Sequence, residues 1–148
     1  KSEREEMGKP DKLLFSFHGI PQSYIGEDEP YQRECLETAN LIARELRLDD
    51  GEYEVAFQSR FGKAEWIKPY LSSRLEELPN EGIKNIHVFC PGFSSDCLET
   101  IDEIGRESKE EFFEHGGETF HFIPCLNSDR IFIEALMDIQ GSPNIKLL

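Results

Sequence analysis

Short apolar runs alternate with longer segments of helical periodicity along this chain. The runs cover 12–17, 53–58, 86–90 and 119–123, each bounded by turn-forming residues. Runs of this length are typical of strands buried in a parallel sheet. Between them, apolar residues recur three and four positions apart, which is typical of helices. The predicted helices are 31–46, 70–78, about 97–114 and about 129–139, the last of them capped by Ser128 or Asp129.

The regular alternation of strand and helix predicts an α/β fold. We expect a doubly wound, mostly parallel four-stranded sheet with helices on both faces. In doubly wound sheets the first and third strands commonly lie side by side, and their following helices leave on opposite faces. The loop at His18 and the loop over 91–99 should therefore line one crevice.

A single domain accounts for the length of 148 residues. The α/β domain is predicted to span 12–140, with 1–11 as an N-terminal tail or truncated connector and 141–148 as a C-terminal tail. Hydrophobic residues make up 38% of the chain and aromatic residues 11%, so the chain is not expected to be disordered despite its charge.

The net charge of −14 excludes some classes of partner. Nucleic acid binding and a polybasic membrane patch both require clustered Lys and Arg, so neither is expected. The chain has no apolar run long enough for a membrane span, and its first residues lack the apolar core of a signal peptide. The four cysteines form no CxxC pair, which favours a reducing, cytoplasmic environment.

His18 follows a buried strand directly and precedes Gly19. An imidazole at the carboxyl end of a parallel strand can act as a base or a metal ligand near neutral pH. The structural alternative is a strand-end histidine that is bonded to the backbone. The pattern alone leaves both interpretations open.

Three glutamates, Glu99, Glu103 and Glu107, recur every four residues and form one ridge on the predicted helix. Apolar residues occupy the opposite sector, so the pattern alone favours an ordinary amphipathic helix with a solvated acidic face. Asp96 and Glu99 also fit a capping box, in which Glu99 bonds back to the helix start. These alternatives do not exclude a role for the ridge in a site.

Several other residues near the predicted crevice have two interpretations each. Trp66 can be a flat wall for an aromatic ligand or part of the core, and Arg60 can meet a ligand carboxylate or a protein carboxylate. Cys90 and Cys97 can be soft metal ligands, although buried cysteines are more often small hydrophobic residues.

Six segments taken together resemble one known family. The segments, in chain order, are LLFSFHGIPQSY, DEPYQ, FQSRFG, W-x-KPY, CPGFSSDCLET-x-x-EI and IPCLN. They resemble the C-terminal half of ferrochelatase, and the resemblance covers about 11–139. It implies a Rossmann-like chelatase domain, two of which enclose the active site. It also implies insertion of Fe²⁺ into protoporphyrin IX to make protohaem, the last step of that route of haem biosynthesis.

The resemblance also implies roles for individual residues. His18 and Glu99 match the two catalytic residues that face each other across the porphyrin. Glu103 and Glu107, the rest of the ridge, match a line of carboxylates proposed to guide the metal. Animal members carry His at the position of Cys97, so an obligatory histidine ligand is not expected there. The implied metal residues are His18, Glu99, Glu103 and Glu107, and the implied porphyrin contacts are Gln58, Ser59, Trp66 and Cys97.

The implied partners are the porphyrin, Fe²⁺ and the N-terminal half of the same enzyme, without which the isolated chain is expected to lack full activity. No further cofactor is expected. An iron–sulfur cluster is not predicted, because the residues after Ile139 contain no cysteine. Coproporphyrin III is the second candidate substrate, after protoporphyrin IX. The alternatives are a related chelatase for another metal or tetrapyrrole and a non-catalytic metal- or porphyrin-binding module. Oligomeric state and peripheral membrane contact are left open.

Overall fold

Four strands and their connecting helices follow the predicted alternation in a computed structural model that describes residues 8–26 and 29–141. Most of the two predicted tails, 1–7 and 142–148, lies outside the described residues. The strands are β1 (Lys12–His18), β2 (Tyr53–Gln58), β3 (Asn85–Phe89) and β4 (Thr119–Ile123). The α-helices are α1 (Tyr31–Leu46), α2 (Leu71–Glu77), α3 (Lys109–Glu114) and α4 (Arg130–Gly141).

Three further helical segments are not α-helical. A short 3₁₀ helix covers Gln22–Tyr24, and a second one, Leu78–Glu81, continues α2. A π-helix covers Glu99–Ser108 and runs directly into α3. The predicted helix over about 97–114 is present, but its first part is π-helical and only its last part, α3, is α-helical. Apolar residues three and four positions apart suit either hydrogen-bond pattern, so periodicity does not distinguish the two.

The sheet is parallel throughout and has the strand order β2-β1-β3-β4. In the register, Phe17 of β1 pairs with Phe57 of β2, and Phe15 of β1 pairs with Phe89 of β3. The predicted adjacency of the first and third strands is confirmed. The carboxyl ends of β1, β2 and β3 therefore meet at one edge.

Side chains alternate along β1 and feed two separate cores. Phe15 and Phe17 face α1, which buries Cys35, Ala39 and Ala43 at four-residue spacing. Small residues at these positions let the helix approach the sheet closely.

The opposite face of the sheet carries the second core. Leu14 packs there with residues of α2, the π-helix and α3, among them Leu75, Ile104 and Phe112. Gly117 is required beside this core, because a Cβ atom there would lie 2.1 Å from the ring of Phe112. The helices that follow β1 and β3 thus lie on opposite faces, as predicted.

The last helix, α4, buries none of its residues in this structure. Asp129 caps it, since its Oδ1 accepts a hydrogen bond from the backbone N–H of Ile131 at 2.8 Å. Across residues 8–26 and 29–141, no helix combines the length and apolar character needed to cross a bilayer.

Candidate active site

The loops after β1, β2 and β3 converge at the carboxyl edge of the sheet. A cavity of about 220 Å³ lies between the end of β2 and the π-helix and is lined by Ser59, Glu103 and Glu107. A neighbouring cavity of about 360 Å³ is also lined by Ser59 and reaches Glu99. These two cavities have walls from the end of β2 and the π-helix, and His18 is not among their lining residues. That the His18 loop and the loop over 91–99 line one crevice therefore stays a prediction.

The His18 side chain is half-buried at the end of β1, and one of its ring nitrogens has a fixed partner. Nδ1 lies 2.6 Å from the backbone oxygen of Gly19. A carbonyl oxygen only accepts hydrogen bonds, so Nδ1 carries the proton and Nε2 holds the lone pair in the neutral ring. The backbone-bonded histidine of the structural alternative is present, and its second nitrogen keeps the properties of a base.

The peptide that joins His18 to Gly19 is held from both sides. The hydroxyl of Tyr31 donates a hydrogen bond to the His18 carbonyl at 2.6 Å, and the Gly19 N–H donates to the Gln58 carbonyl at 2.8 Å. Burial, followed by the nearby Cys35, raises the pKa of the Tyr31 phenol, which keeps the hydroxyl protonated as a donor. A Cβ at Gly19 would approach the Gln58 oxygen to 2.9 Å, so glycine is needed for this close approach.

Glu99 begins the π-helix and remains ionised. A hydrogen bond from the Cys97 thiol, a bond from its own backbone and the charge of His18 lower the pKa of this carboxyl. His18 and Glu99 both adjoin Gln58, because Gln58 pairs with His18 in the register of β1 and β2 and donates from Nε2 to the Glu99 carbonyl at 3.1 Å. The end of β2 thus links the strand end at His18 to the start of the π-helix.

The predicted capping box between Asp96 and Glu99 is wrong. Thr100 occupies that role instead, because its Oγ1 accepts a hydrogen bond from the Cys97 N–H at 2.9 Å and donates to Asp96 at 3.2 Å. The Glu99 side chain therefore does not cap the helix. The capping-box spacing applies to α-helices, whereas this helix begins as a π-helix.

Asp96 ties the loop after β3 to the loop after β4. Its backbone N–H donates to Asn127 Oδ1 at 2.8 Å, and Asn127 Nδ2 donates to its carboxylate at 2.7 Å. Burial opposes ionisation, but the hydrogen bonds from Asn127 and Cys125 lower the pKa of Asp96 overall. Sequence reasoning missed this contact. The one sequence feature that indicates it is Asn127, which follows the Pro-Cys-Leu segment after β4 and adopts the left-handed backbone that asparagine tolerates in turns.

Gln58 and Ser59, predicted as porphyrin contacts, bind the π-helix. The N–H and hydroxyl of Ser59 each donate to Glu103 at 2.6 Å, and Gln58 Nε2 donates to the Glu99 carbonyl at 3.1 Å. Gln58 is buried, and its Oε1 accepts a hydrogen bond from Ser16 at 2.7 Å. The end of β2 therefore fixes the part of the ridge that carries Glu99 and Glu103.

The ridge is not a uniform line of carboxylates. Arg106 donates to Asp102 at 2.6 Å and to Glu107 at 3.0 Å, so Glu107 is paired at the surface. Among the described residues, no group of three or more His, Cys, Asp or Glu side chains has a metal-binding arrangement. Burial raises the pKa of the Cys90 thiol, which fits its interpretation as a small hydrophobic residue rather than a soft ligand.

Trp66 is buried beside His18 and is not among the residues that line the two cavities. It is 5% exposed, its ring centroid is 6.4 Å from that of His18, and Phe61 packs edge-on against it at 5.2 Å. Within the described part of the chain its indole N–H has no acceptor. Phe61, which is 74% exposed, is the aromatic surface that faces outward, and sequence reasoning missed it.

Comparisons with known proteins point to one family. The family model described as Ferrochelatase matches residues 1–142. The chain is 52% identical to "Ferrochelatase 1" of Shewanella oneidensis over 129 residues, which is 87% of this chain and 39% of that protein. It is 48% identical to "Ferrochelatase" of Alcanivorax borkumensis over 136 residues, which is 92% of this chain and 40% of that protein. The chain thus spans about two-fifths of the length of these relatives.

A solved structure shares the fold. A putative cobalamin biosynthesis CbiX protein from Marinobacter aquaeolei aligns with a TM-score of 0.56, over 88% of this chain and 94% of that chain. The two sequences are 14% identical, so this likeness supports the α/β fold alone.

Proposed function

The chain belongs to the ferrochelatase family, and from this premise we propose that it acts as the C-terminal half of an enzyme that inserts Fe²⁺ into protoporphyrin IX to make protohaem. The observation that carries the proposal is the proximity of His18 and Glu99 at the carboxyl edge of the sheet. His18 pairs with Gln58 in the register of β1 and β2, and Gln58 Nε2 donates a hydrogen bond to the Glu99 carbonyl at 3.1 Å. The relatives extend well beyond the part that matches this chain, which supports an N-terminal half that supplies the facing wall of the active site.

The reaction requires a group that accepts protons and, beside it, an anionic group that stabilises the metal cation. The porphyrin loses two pyrrole N–H protons while Fe²⁺ sheds water. In the proposal, Nε2 of His18 accepts a pyrrole proton, because Nδ1 already donates to the Gly19 carbonyl. The ionised Glu99 stabilises the imidazolium and the incoming metal, and it relays the second proton to solvent.

Glu103 and Glu107 form the proposed outer path of the metal substrate. Both line the two cavities at the end of β2. Glu103 accepts hydrogen bonds from Ser59, and a carboxylate has lone pairs beyond those that these bonds use. Glu107 pairs with Arg106 at the surface and would exchange this partner for a metal ion.

The remaining predicted contacts are proposed to act at the porphyrin. Trp66 supports the ring from below through Phe61, Cys97 orients Glu99, and Gln58 and Ser59 hold the wall of the pocket. A cytoplasmic location and the lack of a cofactor other than the metal substrate, including an iron–sulfur cluster, remain predictions of the sequence.

The test is anaerobic metal insertion by the full-length protein. Replacing His18 with Ala should lower kcat by about 10²–10⁴-fold, the usual contribution of a general base. His115→Ala is the matched control, because His115 also contacts a backbone carbonyl, at 2.9 Å from Glu111, but is exposed and outside the site. Near-normal turnover by the His18 variant would refute the assignment.

A further inference from the structure

The turn after β4 reaches the segment before the π-helix through the side chain of Asn127. Both ends of its amide bind Asp96, because Oδ1 accepts a hydrogen bond from the Asp96 N–H at 2.8 Å and Nδ2 donates to the Asp96 carboxylate at 2.7 Å. Nδ2 also donates to the Cys125 carbonyl at 2.9 Å, and the Asn127 N–H donates to the Ser94 carbonyl at 2.9 Å. Asn127 therefore joins the loops after β3 and β4.

Asp96 passes this restraint to the start of the π-helix. Its Oδ1 accepts a hydrogen bond from Thr100 Oγ1 at 3.2 Å, and Thr100 Oγ1 accepts one from the Cys97 N–H at 2.9 Å. Thr100 is fully buried and follows Glu99 directly in the chain. A hydrogen bond from the Cys97 thiol is the largest cause that lowers the pKa of the Glu99 carboxyl. The two residues that Asp96 holds therefore both adjoin Glu99.

Position 127 requires two properties that asparagine combines. Its backbone is left-handed, with a φ of 48°, a conformation that asparagine tolerates better than most residues. Its side chain carries both an acceptor and a donor, which the N–H and the carboxylate of Asp96 require. The turn itself is held elsewhere, since the Asp129 N–H donates to the Leu126 carbonyl at 2.9 Å and Asp129 caps α4. The contact with Asp96 is therefore separable from the turn that carries it.

We propose that Asn127 is a positioning residue that gives the Glu99 carboxylate a fixed direction through Asp96. The π-helix has a separate anchor at the end of β2, because Ser59 donates two hydrogen bonds of 2.6 Å to Glu103. Asn127 supplies the second anchor from the turn after β4, so that two strand ends hold the first part of the π-helix. The inference rests on the proposed function, in which Glu99 stabilises the incoming metal.

The first test is steady-state metal insertion by the full-length protein with Asn127→Gly. Glycine keeps the left-handed backbone and removes only the amide. We expect kcat to fall about three- to tenfold, as the loss of partly exposed hydrogen bonds implies. KM for the porphyrin should stay unchanged, because Asn127 is not among the residues that line the two cavities. Arg47→Gly is the matched control and should change neither constant, since Arg47 is also left-handed, with a φ of 54°, but is exposed at the end of α1.

A pair exchange separates the contact between Asn127 and Asp96 from a general effect on folding. Asn127→Asp alone places two carboxylates face to face and should lower kcat further than Asn127→Gly does. Adding Asp96→Asn puts a donor opposite a carboxylate again and keeps an Oδ1 for Thr100. The double variant should therefore recover kcat by about threefold or more over Asn127→Asp.

Amide hydrogen exchange reports the anchor without turnover. The N–H groups of Thr100 and Ile101 both donate to the Cys97 carbonyl, and Asn127→Gly should speed their exchange about three- to tenfold. Exchange in α1 should stay unchanged, which also shows that the variant is folded. Unchanged exchange at these two amides, a kcat equal to that of the Arg47→Gly control, or a double variant no faster than Asn127→Asp would each overturn the inference. Absence of metal insertion by the unmodified protein would contradict the proposed function, and the exchange rates would still decide whether Asn127 anchors the helix.

Discussion

Replacing Tyr31 with Phe should impair catalysis although Tyr31 touches no reacting group. The Tyr31 hydroxyl donates to the His18 carbonyl at 2.6 Å, from the first residue of α1. The substitution keeps the ring and removes only this donor. The peptide after His18 then keeps only the bond from the Gly19 N–H to Gln58, and the backbone that places the Gly19 carbonyl beside Nδ1 is less restrained.

The size of the effect follows from the hydrogen bond that is lost. A part-buried carbonyl without its donor costs about 1–3 kcal/mol. If about 1.4 kcal/mol of this appears in the transition state, kcat falls about tenfold. KM for the porphyrin should change little, because the pocket walls come from β2 and the π-helix.

The matched control is Tyr53→Phe. The Tyr53 hydroxyl also donates to α1, to Asn40 at 2.9 Å, but near the start of β2 and thus at the opposite edge of the sheet. The assay combines urea unfolding, the pH profile of kcat and the ¹⁵N shifts of His18, which report its tautomer. Tyr31→Phe should change all three and Tyr53→Phe only the unfolding. Equal kcat in both variants would refute the positioning argument.

Three further predictions concern the hydrogen bond between Ser59 and the π-helix, the core and an ion pair. Ser59→Ala should lower kcat several-fold, and the effect should largely disappear in a Glu103→Gln background, because the two groups share one hydrogen bond of 2.6 Å; a double-mutant cycle on kcat measures this. Phe112→Ala should lower the free energy of unfolding by about 3–5 kcal/mol in urea titrations, because Phe112 is fully buried. Burial opposes the ionisation of Glu54, but hydrogen bonds from Arg74 and Lys12 lower its pKa below the usual 4.5. Its contribution is therefore present above pH 4.5 and lost as the pH falls through the lower native pKa. Glu54→Gln should cost about 1 kcal/mol at pH 7, and pH-dependent urea titrations should show the difference vanishing in acid.

Much of the fold was predictable because it depends on local patterns. The bounds of α1, β2 and β4 agree with the prediction residue for residue, since each is flanked by turn residues or proline. The adjacency of β1 and β3 followed from the general geometry of doubly wound sheets. That adjacency was enough to bring His18 and the loop before Glu99 to the same edge.

The contacts within the site were not predictable, because they join distant positions. Ser59 and Glu103 are 44 positions apart, and no local rule selects Ser59 as the partner of this carboxylate. The π-helix was not predictable for a different reason, because its apolar residues have the spacing that is also typical of an α-helix. Its presence overturns the capping box, because Thr100 rather than Glu99 accepts the hydrogen bond from the backbone before the helix.

The central claim is that His18 and Glu99 act as one unit. The most direct measurement is the anaerobic rate of protohaem formation by the full-length protein with His18→Ala, with Glu99→Gln and with both changes. Our account predicts large losses in each single variant and a double variant no slower than the worse of the two, because residues that act together are not additive. Near-normal turnover in either single variant, or losses that multiply in the double variant, would contradict it.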